Sequence, residues 1–427
     1  MREGCPVTHR RDPLRAGVAL GAGRVADRLS LSLGLGAGSV VGGRTALRLD
    51  PRVLEAVAAG RRSVLVTGTN GKATVTALVT AALGEKGSVV TNAMGANTTD
   101  GIIAALAKDR TSPVAALEVD DVHLGAVVKG TRPRAVIALN SSREYTRGVS
   151  LARTLRHWRR TAAALPDDSV AIINTDDPLV SWAFEAAPRV VPVSGGLDWR
   201  DDALLCPACR APHEFEGLSW SCPGCGRQRR APQWTVVAEG DEGDEGVEWY
   251  VEHGRGRQRI EVTVPGRTAT VGEAFALAAA DVFGVDLAGA AERMATVADV
   301  DERYAPVQIG EHAARLMRLD NPAGWAEALD VAATTGAQLV MVVDPDGPRD
   351  TATMWESPFH LIGGHEVAVT GGRSSDVVAI LTAAGVRTRV APDVLSAIAT
   401  REAGDVLVAC NTPAFRRVSA QFRGGAA

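Results

Sequence analysis

The stretch Val64-Leu-Val-Thr-Gly-Thr-Asn-Gly-Lys-Ala-Thr-Val-Thr76 constrains this chain more than any other. Val64–Thr67 is a short apolar, β-branched run, the composition of a buried parallel strand. Gly68-Thr-Asn-Gly-Lys72 is a tight glycine turn, and Thr74–Leu83 reads as a helix with few breakers. Such a succession makes an anion site: unpaired backbone N–H groups and the helix dipole converge, and a lysine adds charge. The general phosphate-loop pattern has two glycines separated by four residues, then Lys-Ser/Thr. Here the loop is shorter, and Ala73 stands where a hydroxyl would hold Mg²⁺. An ordinary strand-to-helix turn containing a lysine is the alternative, but each piece has the context a phosphate loop needs.

The surrounding sequence supplies a sheet for that loop. Between residues 61 and 195 short apolar runs alternate with helical patterns, as in a mostly parallel sheet. Strands are expected at Ser63–Thr67, Ser88–Thr91, Val114–Val119, Ala135–Leu139, Val170–Asn174 and Arg189–Val193. Helices are expected at Thr74–Leu83, Thr99–Lys108, Leu151–Leu165 and Leu179–Ala186. Ligands of such sheets sit at the carboxyl ends of the strands. Glu118 ends one strand, where a carboxylate can reach a phosphate-bound metal or simply face solvent. Asn174-Thr-Asp-Asp-Pro178 ends another, and its Asp-Pro pair also suits a helix cap.

Residues 198–235 interrupt the alternation. Cys206-Pro-Ala-Cys209 and Cys222-Pro-Gly-Cys225 are C-x₂-C knuckles separated by twelve residues. Four thiolates at this spacing form a closed, structural tetrahedral Zn²⁺ site. His213, between the knuckles, is expected at the surface, with Phe215, Trp220 and Trp234 packing on the small ribbon. Beyond it, Val247–Val251 and Gln258–Val264 read as a hairpin, and Val271–Val282 as an alanine-rich helix. Residues 304–427 alternate again, as a smaller Rossmann-like unit. In it, Thr370-Gly-Gly-Arg-Ser374 is expected to be an ordinary strand-to-helix turn. Three segments follow: 1–60, lead-in helices packing on the central domain, 61–302, the central domain with the ribbon inserted at 198–235, and 303–427.

Composition removes several function classes. A net charge of −4 and the acidic run Asp241-Glu-Gly-Asp-Glu245 beside the ribbon argue against a nucleic-acid binder. No apolar run is long enough to span a bilayer, and Met1–Arg15 lacks the apolar core of a signal peptide. Four of six cysteines fall in the metal-like cluster, which leaves Cys5 and Cys410 as free thiols. That is the pattern of a reducing compartment, so the chain is expected to be cytoplasmic.

The short loop Gly68-Thr-Asn-Gly-Lys72 resembles that of the Mur ligase superfamily, and so does Asn174-x-Asp-Asp-Pro. The C-x₂-C pairs, Asn321-Pro-Ala-Gly324, Leu29-Ser-Leu-Ser-Leu33, Leu47-Arg-Leu-Asp-Pro51 and Met94-Gly-Ala-Asn97 narrow the resemblance to the MurT family, the ligase subunits of lipid II isoglutaminyl synthases. The resemblance covers nearly the whole chain. It implies an α/β fold: a Mur ligase-like parallel-sheet domain with a Cys₄ zinc ribbon, then a Rossmann-like C-terminal domain. It implies an ATP- and Mg²⁺-dependent enzyme that phosphorylates the α-carboxylate of D-glutamate in the lipid II stem peptide. Ammonia from a GatD-like class I glutaminase then gives D-isoglutamine. Contact with the membrane surface would be transient, through lipid II.

By the resemblance, Gly68, Thr69, Asn70, Gly71, Lys72 and Thr74 cradle the phosphates, Glu118 holds Mg²⁺, and Asn174 contacts adenine. Arg303, in the linker to the last domain, reaches back to the phosphates or forms an exposed salt bridge. Asp350, or alternatively Asp346, supplies an aspartate to the partner's Cys/His pair, on a segment anchored by Trp355. The chain departs from the family at Ala73, at Asp320 in place of a lysine, and across 140–147, where Glu144 stands for an acidic position. A paralogue acting on another carboxylate, and a nucleotide-binding scaffold without ligase activity, are the alternatives.

Overall fold

A computed structural model describes residues 13–33, 40–85, 88–92, 96–109, 111–143, 150–196, 199–240, 247–300, 303–309, 312–347, 351–399 and 405–423. Two sheets organise these residues. The first comprises β1 (Arg62–Thr67), β2 (Val89–Thr91), β3 (Val114–Glu118), β4 (Ala135–Ala138), β5 (Val170–Asn174) and β6 (Val190–Ser194). After the ribbon hairpin β7 (Glu214–Glu216) and β8 (Ser219–Ser221), the sheet is extended by β9 (Trp234–Glu239), β10 (Glu248–His253) and β11 (Gly256–Ile260). Its order is β11-β10-β9-β6-β5-β4-β1-β3-β2. The strands from β2 to β9 are parallel, and β9, β10 and β11 are antiparallel.

Both faces of this sheet are covered, as its continuous apolar strands require. The side chains of β1 alternate across it. Val64 and Val66 join one core with Val75, Leu78 and Phe275. Leu65 joins the other with Ile102, Leu117 and Trp158. The helices are α1 (Pro13–Ser32), α2 (Val41–Leu49), α3 (Val53–Ala58), α4 (Lys72–Leu83), α5 (Thr99–Lys108), α6 (Leu124–Thr131), α7 (Leu151–Ala163), α8 (Pro178–Phe184), α9 (Arg267–Phe283) and α10 (Leu287–Met294). Helices α4, α9 and α10 build the first core, and α3 with α5 to α8 the second. The lead-in helices α1 and α2 pack together, with α2 against α5.

The second sheet contains β12 (Tyr304–Ile309), β13 (His312–Arg318), β14 (Gln338–Val342), β15 (Glu366–Thr370), β16 (Arg387–Val390) and β17 (Val406–Cys410). Its order is β12-β13-β17-β14-β15-β16, parallel except for β12 against β13. Helices α11 (Pro322–Thr335) and α12 (Ser374–Ala383) cover one face, and α13 (Val394–Ala399) and α14 (Thr412–Arg423) the other.

Several local expectations shift. Helix α4 begins at Lys72, two residues before Thr74, because Gly71 at φ 80° caps it and accepts from Val75 N at 2.9 Å. Strand β9 takes Trp234 out of the ribbon and stacks its ring on His253 at 4.6 Å. His213 is buried rather than at the surface, with Nδ1 2.6 Å from the Ala203 carbonyl and its ring against Trp220. The turn after β15 is an ordinary one, in which Gly372 N donates to Asp344 Oδ1.

Candidate active site

The loop after β1 needs glycine at two places. Gly68 has φ 147°, and a Cβ there would lie 3.0 Å from Leu139 Cβ and 3.2 Å from Asn140 N. Gly71 has φ 80°, and a Cβ there would lie 2.3 Å from Thr268 Cγ2 of α9. Any side chain would therefore be strained and crowded at either position. Between them the loop is strapped by the residues after β4. Thr69 N donates to Asn140 O at 3.1 Å, Asn70 N to Asn140 Oδ1 at 2.9 Å, and Asn140 Nδ2 returns a bond to Asn70 O at 3.1 Å. Ser142 N donates to Thr69 Oγ1 at 2.9 Å. Lys72 is 3% exposed, and its Nζ donates to the carbonyls of Gly68 and Thr69. The ammonium thus lies inside the loop turn, where an arriving phosphate would compete with two carbonyl oxygens for it.

Glu118 is buried at the end of β3. Its backbone is pinned by Asn92, which accepts from Glu118 N at 2.9 Å and donates to Glu118 O at 2.8 Å. Its Oε1 accepts from Asn97 Nδ2 at 3.0 Å. Glu118 and Ala73 line one cleft of about 780 Å³, together with Thr76, Thr80, Asn92 and Arg293. Thr74 lines a different, smaller recess of about 60 Å³, shared with Asn70, Gly71, Arg303, Asp320 and Glu327. Ala73 therefore lines the cleft of Glu118, and Thr74 the recess of Arg303 and Asp320.

Asn174 ends β5, with Oδ1 accepting from Asp176 N at 2.9 Å. Its Nδ2 is buried without a protein acceptor, a donor left over for a ligand nitrogen or oxygen. Asp177 caps α8 through Leu179 N and Val180 N and accepts from Ser141 N at 2.8 Å, which ties this corner to the loop strap. Burial pushes its carboxyl up to about 6 despite those three donors. Asp176 receives Gly195 N, Gly196 N and the Ser194 hydroxyl, and pairs with Arg229 of the ribbon at 2.8 Å. Trp220 Nε1, also on the ribbon, donates to Thr175 O at 2.9 Å. The ribbon is thus bolted to the Asn174–Asp177 turn.

The C-terminal sheet meets the loop through a charge cluster. Asp320 lies 3.4 Å from Arg303 Nη1 and 3.2 Å from Arg318 Nε, and accepts from Thr412 Oγ1 at 2.5 Å. Burial raises the Asp320 carboxyl, but Arg318, Arg303, Thr412 and the nearby Lys72 outweigh it and hold the group below its usual range. An anion at this position, which by itself would repel phosphate, is therefore taken up by two guanidiniums. Arg303 forms its salt bridge and lines the recess beside Asn70 and Gly71 at once. Asn321 caps α11 through Gly324 N and pairs its amide with that of Asn70.

Cys206, Cys209, Cys222 and Cys225 hold their sulfurs within 4.8 Å of one another. The Cys206–Cys225 and Cys209–Cys222 separations are 3.7 and 3.4 Å. Zn–S bonds of ~2.3 Å in a tetrahedron put sulfurs about 3.8 Å apart, so the four thiols fit a metal ion. The backbone and guanidinium N–H groups of Arg227 lower the Cys225 thiol to about 6, favouring the thiolate a metal needs.

Asp350 and Glu144 lie outside the described residues, as do Met94 and Gly95. Asp346 is described and exposed. Asn140 and Glu327 were not singled out from the sequence. Asn140 could have been found from its place just beyond β4, on the ligand-binding rim of the sheet. Glu327, which accepts from Thr268 N at 2.9 Å, has no such signal because it lies mid-helix.

The Mur ligase middle domain family matches residues 66–196, which run from β1 to the end of β6. The MurT subunit of lipid II isoglutaminyl synthase (glutamine-hydrolyzing) from Streptococcus pneumoniae is 23% identical over 381 residues, covering 82% of this chain and 83% of that protein. MurF from Acinetobacter baumannii superposes with a TM-score of 0.65 at 14% identity, over 88% of this chain and 79% of that one. MurF of Thermotoga maritima, in complex with ADP, superposes with a TM-score of 0.63 at 13% identity, over 87% and 81%. By its Mur ligase middle domain, its Mur ligase fold and its similarity along most of its length to a MurT subunit, the chain is a divergent MurT-like protein.

Proposed function

We propose that the chain is the ligase subunit of a glutamine-dependent amidating complex. It acts in the cytoplasm on the α-carboxylate of D-glutamate in the lipid II stem peptide. The observation that carries this reading is the buried Lys72 held within a two-glycine loop, on a chain similar over most of its length to a MurT.

Lys72 and the amides of residues 69–72 would bind the β- and γ-phosphates of ATP and stabilise charge on the transferring group. Glu118, with Asn97 orienting its carboxylate, would hold Mg²⁺. The metal supplies charge neutralisation between the phosphates. Asn174 Nδ2 would contact the adenine edge, and Arg303, steadied by Asp320, would approach the phosphates from the C-terminal sheet. The Asn70–Asn321 pair brings that sheet against the loop, which keeps water from an acyl phosphate. Zn²⁺ on the four cysteines would stiffen the ribbon that braces Asp176.

The glutaminase would dock on the segment around Trp355, which is 59% exposed. Glu356, beside it, pairs with Arg143 of the loop strap at 3.2 Å, so this surface is wired to the nucleotide loop. Asp350 remains the aspartate proposed for the partner, with Asp346 the other choice.

The purified chain with its glutaminase should consume ATP and glutamine and convert the carboxylate to the amide, read by mass spectrometry. Lys72→Ala should abolish both. ATP binding without turnover in any combination would instead favour a nucleotide-binding scaffold, the reading that the missing hydroxyl at Ala73 supports. Turnover of a different carboxylate would make the chain a paralogue.

A further inference from the structure

Helix α7 is strongly two-faced. Leu155, Trp158 and Ala162 are buried against the sheet. On the outer side, Arg153, Arg156 and Arg160 are spaced three and four residues apart, the repeat that brings side chains onto one helix face. They line a cleft of about 510 Å³ with Thr154 and His157, closed across by Asp121 and Val122 of the segment before α6.

Other arginines around the site, such as Arg143, Arg159, Arg227 and Arg229, each face a carboxylate. Arg153, Arg156 and Arg160 have no ion-pair partner among the described residues, although they gather around one concavity. Asp121 is the carboxylate in the wall, and its Oδ1 already lies 3.4 Å from the Thr67 hydroxyl. His157 Nε2 accepts from Gly125 N at 3.4 Å, which places the ring proton on Nδ1. Burial and Arg160 hold this imidazole below its usual pKa, so it enters the site as a neutral donor. Guanidinium forks with a neutral N–H donor and a hydroxyl form a donor set suited to phosphate oxygens.

The cleft is close to the nucleotide loop without being part of it. Thr67, which touches Asp121, is the residue immediately before Gly68. The cleft shares no lining residue with the cleft of Glu118 or the recess of Arg303.

We propose that the α7 cleft binds the diphosphate of the lipid-linked substrate, with Arg153, Arg156 and Arg160 as its cationic wall. The inference rests on the substrate reading above: lipid II joins sugar to lipid carrier through a diphosphate, and a second anion site beside the loop would hold that group while the stem peptide reaches Glu118. The volume lies within the range of small-ligand pockets, enough for a diphosphate and part of the adjoining sugar.

Two measurements test it. In the first, the full chain is saturated with a non-hydrolysable ATP analogue to fill the loop and titrated with inorganic pyrophosphate, while the His157 ring is followed by NMR. A saturable shift of that resonance, lost in Arg156→Gln/Arg160→Gln and kept in Lys72→Ala, is expected. No shift, or a shift that survives the arginine changes, overturns the proposal whether or not the chain proves to be a ligase. In the second, the complex with its glutaminase is assayed on lipid II and on the same muramyl peptide without diphosphate. The double variant should raise KM for lipid II tenfold or more, with kcat and the KM for ATP unchanged, and leave the diphosphate-free substrate unaffected. Equal loss on both substrates overturns the proposal. So does arginine-dependent binding to anionic vesicles that is as strong without lipid II as with it, since the arginines would then be reading bilayer charge.

Discussion

Asn70 and Asn321, 251 positions apart, exchange side-chain amides: Asn70 Nδ2 donates to Asn321 Oδ1 at 3.1 Å, and Asn321 Nδ2 donates to Asn70 Oδ1 at 2.9 Å. One residue belongs to the nucleotide loop and the other caps the first helix of the C-terminal sheet. Removing either should loosen the loop against that sheet. Asn70→Ala removes the pair alone, whereas Asn321→Ala also removes a helix cap, worth about 1 kcal/mol. Urea unfolding of both single variants and the double variant should give a coupling energy of about 0.5–1.5 kcal/mol. Strict additivity would mean that the two amides do not act together.

Ala73 and Glu118 line the same cleft, so a hydroxyl restored at position 73 would add a metal ligand to the cavity the carboxylate borders. Ala73→Thr is expected to raise the rate of ATP consumption in the glutaminase complex and to lower the Mg²⁺ concentration at half-maximal rate. Steady-state kinetics across a magnesium titration checks this. An unchanged rate in a chain with measurable basal turnover would show that the missing hydroxyl does not limit catalysis.

Glu273 on α9 is 2% exposed, and burial by itself raises its carboxyl to about 8. The sign follows from proton counting. Between about pH 4.5 and 8 the unfolded chain has lost this proton while the folded chain keeps it, so stability falls as pH rises through that window. The slope is about 1.4 kcal/mol per pH unit for one group. Glu273→Gln should remove it, leaving the variant more stable than the parent at pH 8 and close to it near pH 4.5. Denaturant melts across that range measure the difference.

Four thiols within bonding range of a common centre predict one zinc per chain, countable by mass spectrometry of metals. Cys222→Ser or chelation should lower the melting temperature, because structural zinc contributes directly to folding. The loss should also raise the KM for ATP, since Arg229 and Trp220 of the ribbon hold Asp176 and Thr175 next to Asn174. A zinc-free chain with unaltered nucleotide affinity would separate the ribbon from the site.

The strand, glycine loop and helix around Lys72 were legible in the residues alone, because periodicity and glycine conformation are local properties. So was the gathering of four cysteines into one cluster, because C-x₂-C turns bring two sulfurs together within a few residues. Strand β9 was not legible there, because this half-buried segment alternates weakly and becomes a strand only by pairing with β6 and β10. Only folding decided which hollow each residue lines: Ala73 that of Glu118, Thr74 that of Asp320. It decided that Asp320 meets Arg303 and Arg318 and not a bare phosphate. It also placed Asn140 and Asn321 on either side of Asn70. Apart from Arg318–Asp320, those contacts join residues 17 to 251 positions apart, and nothing local in a chain encodes which distant side chain will share its hydrogen bond.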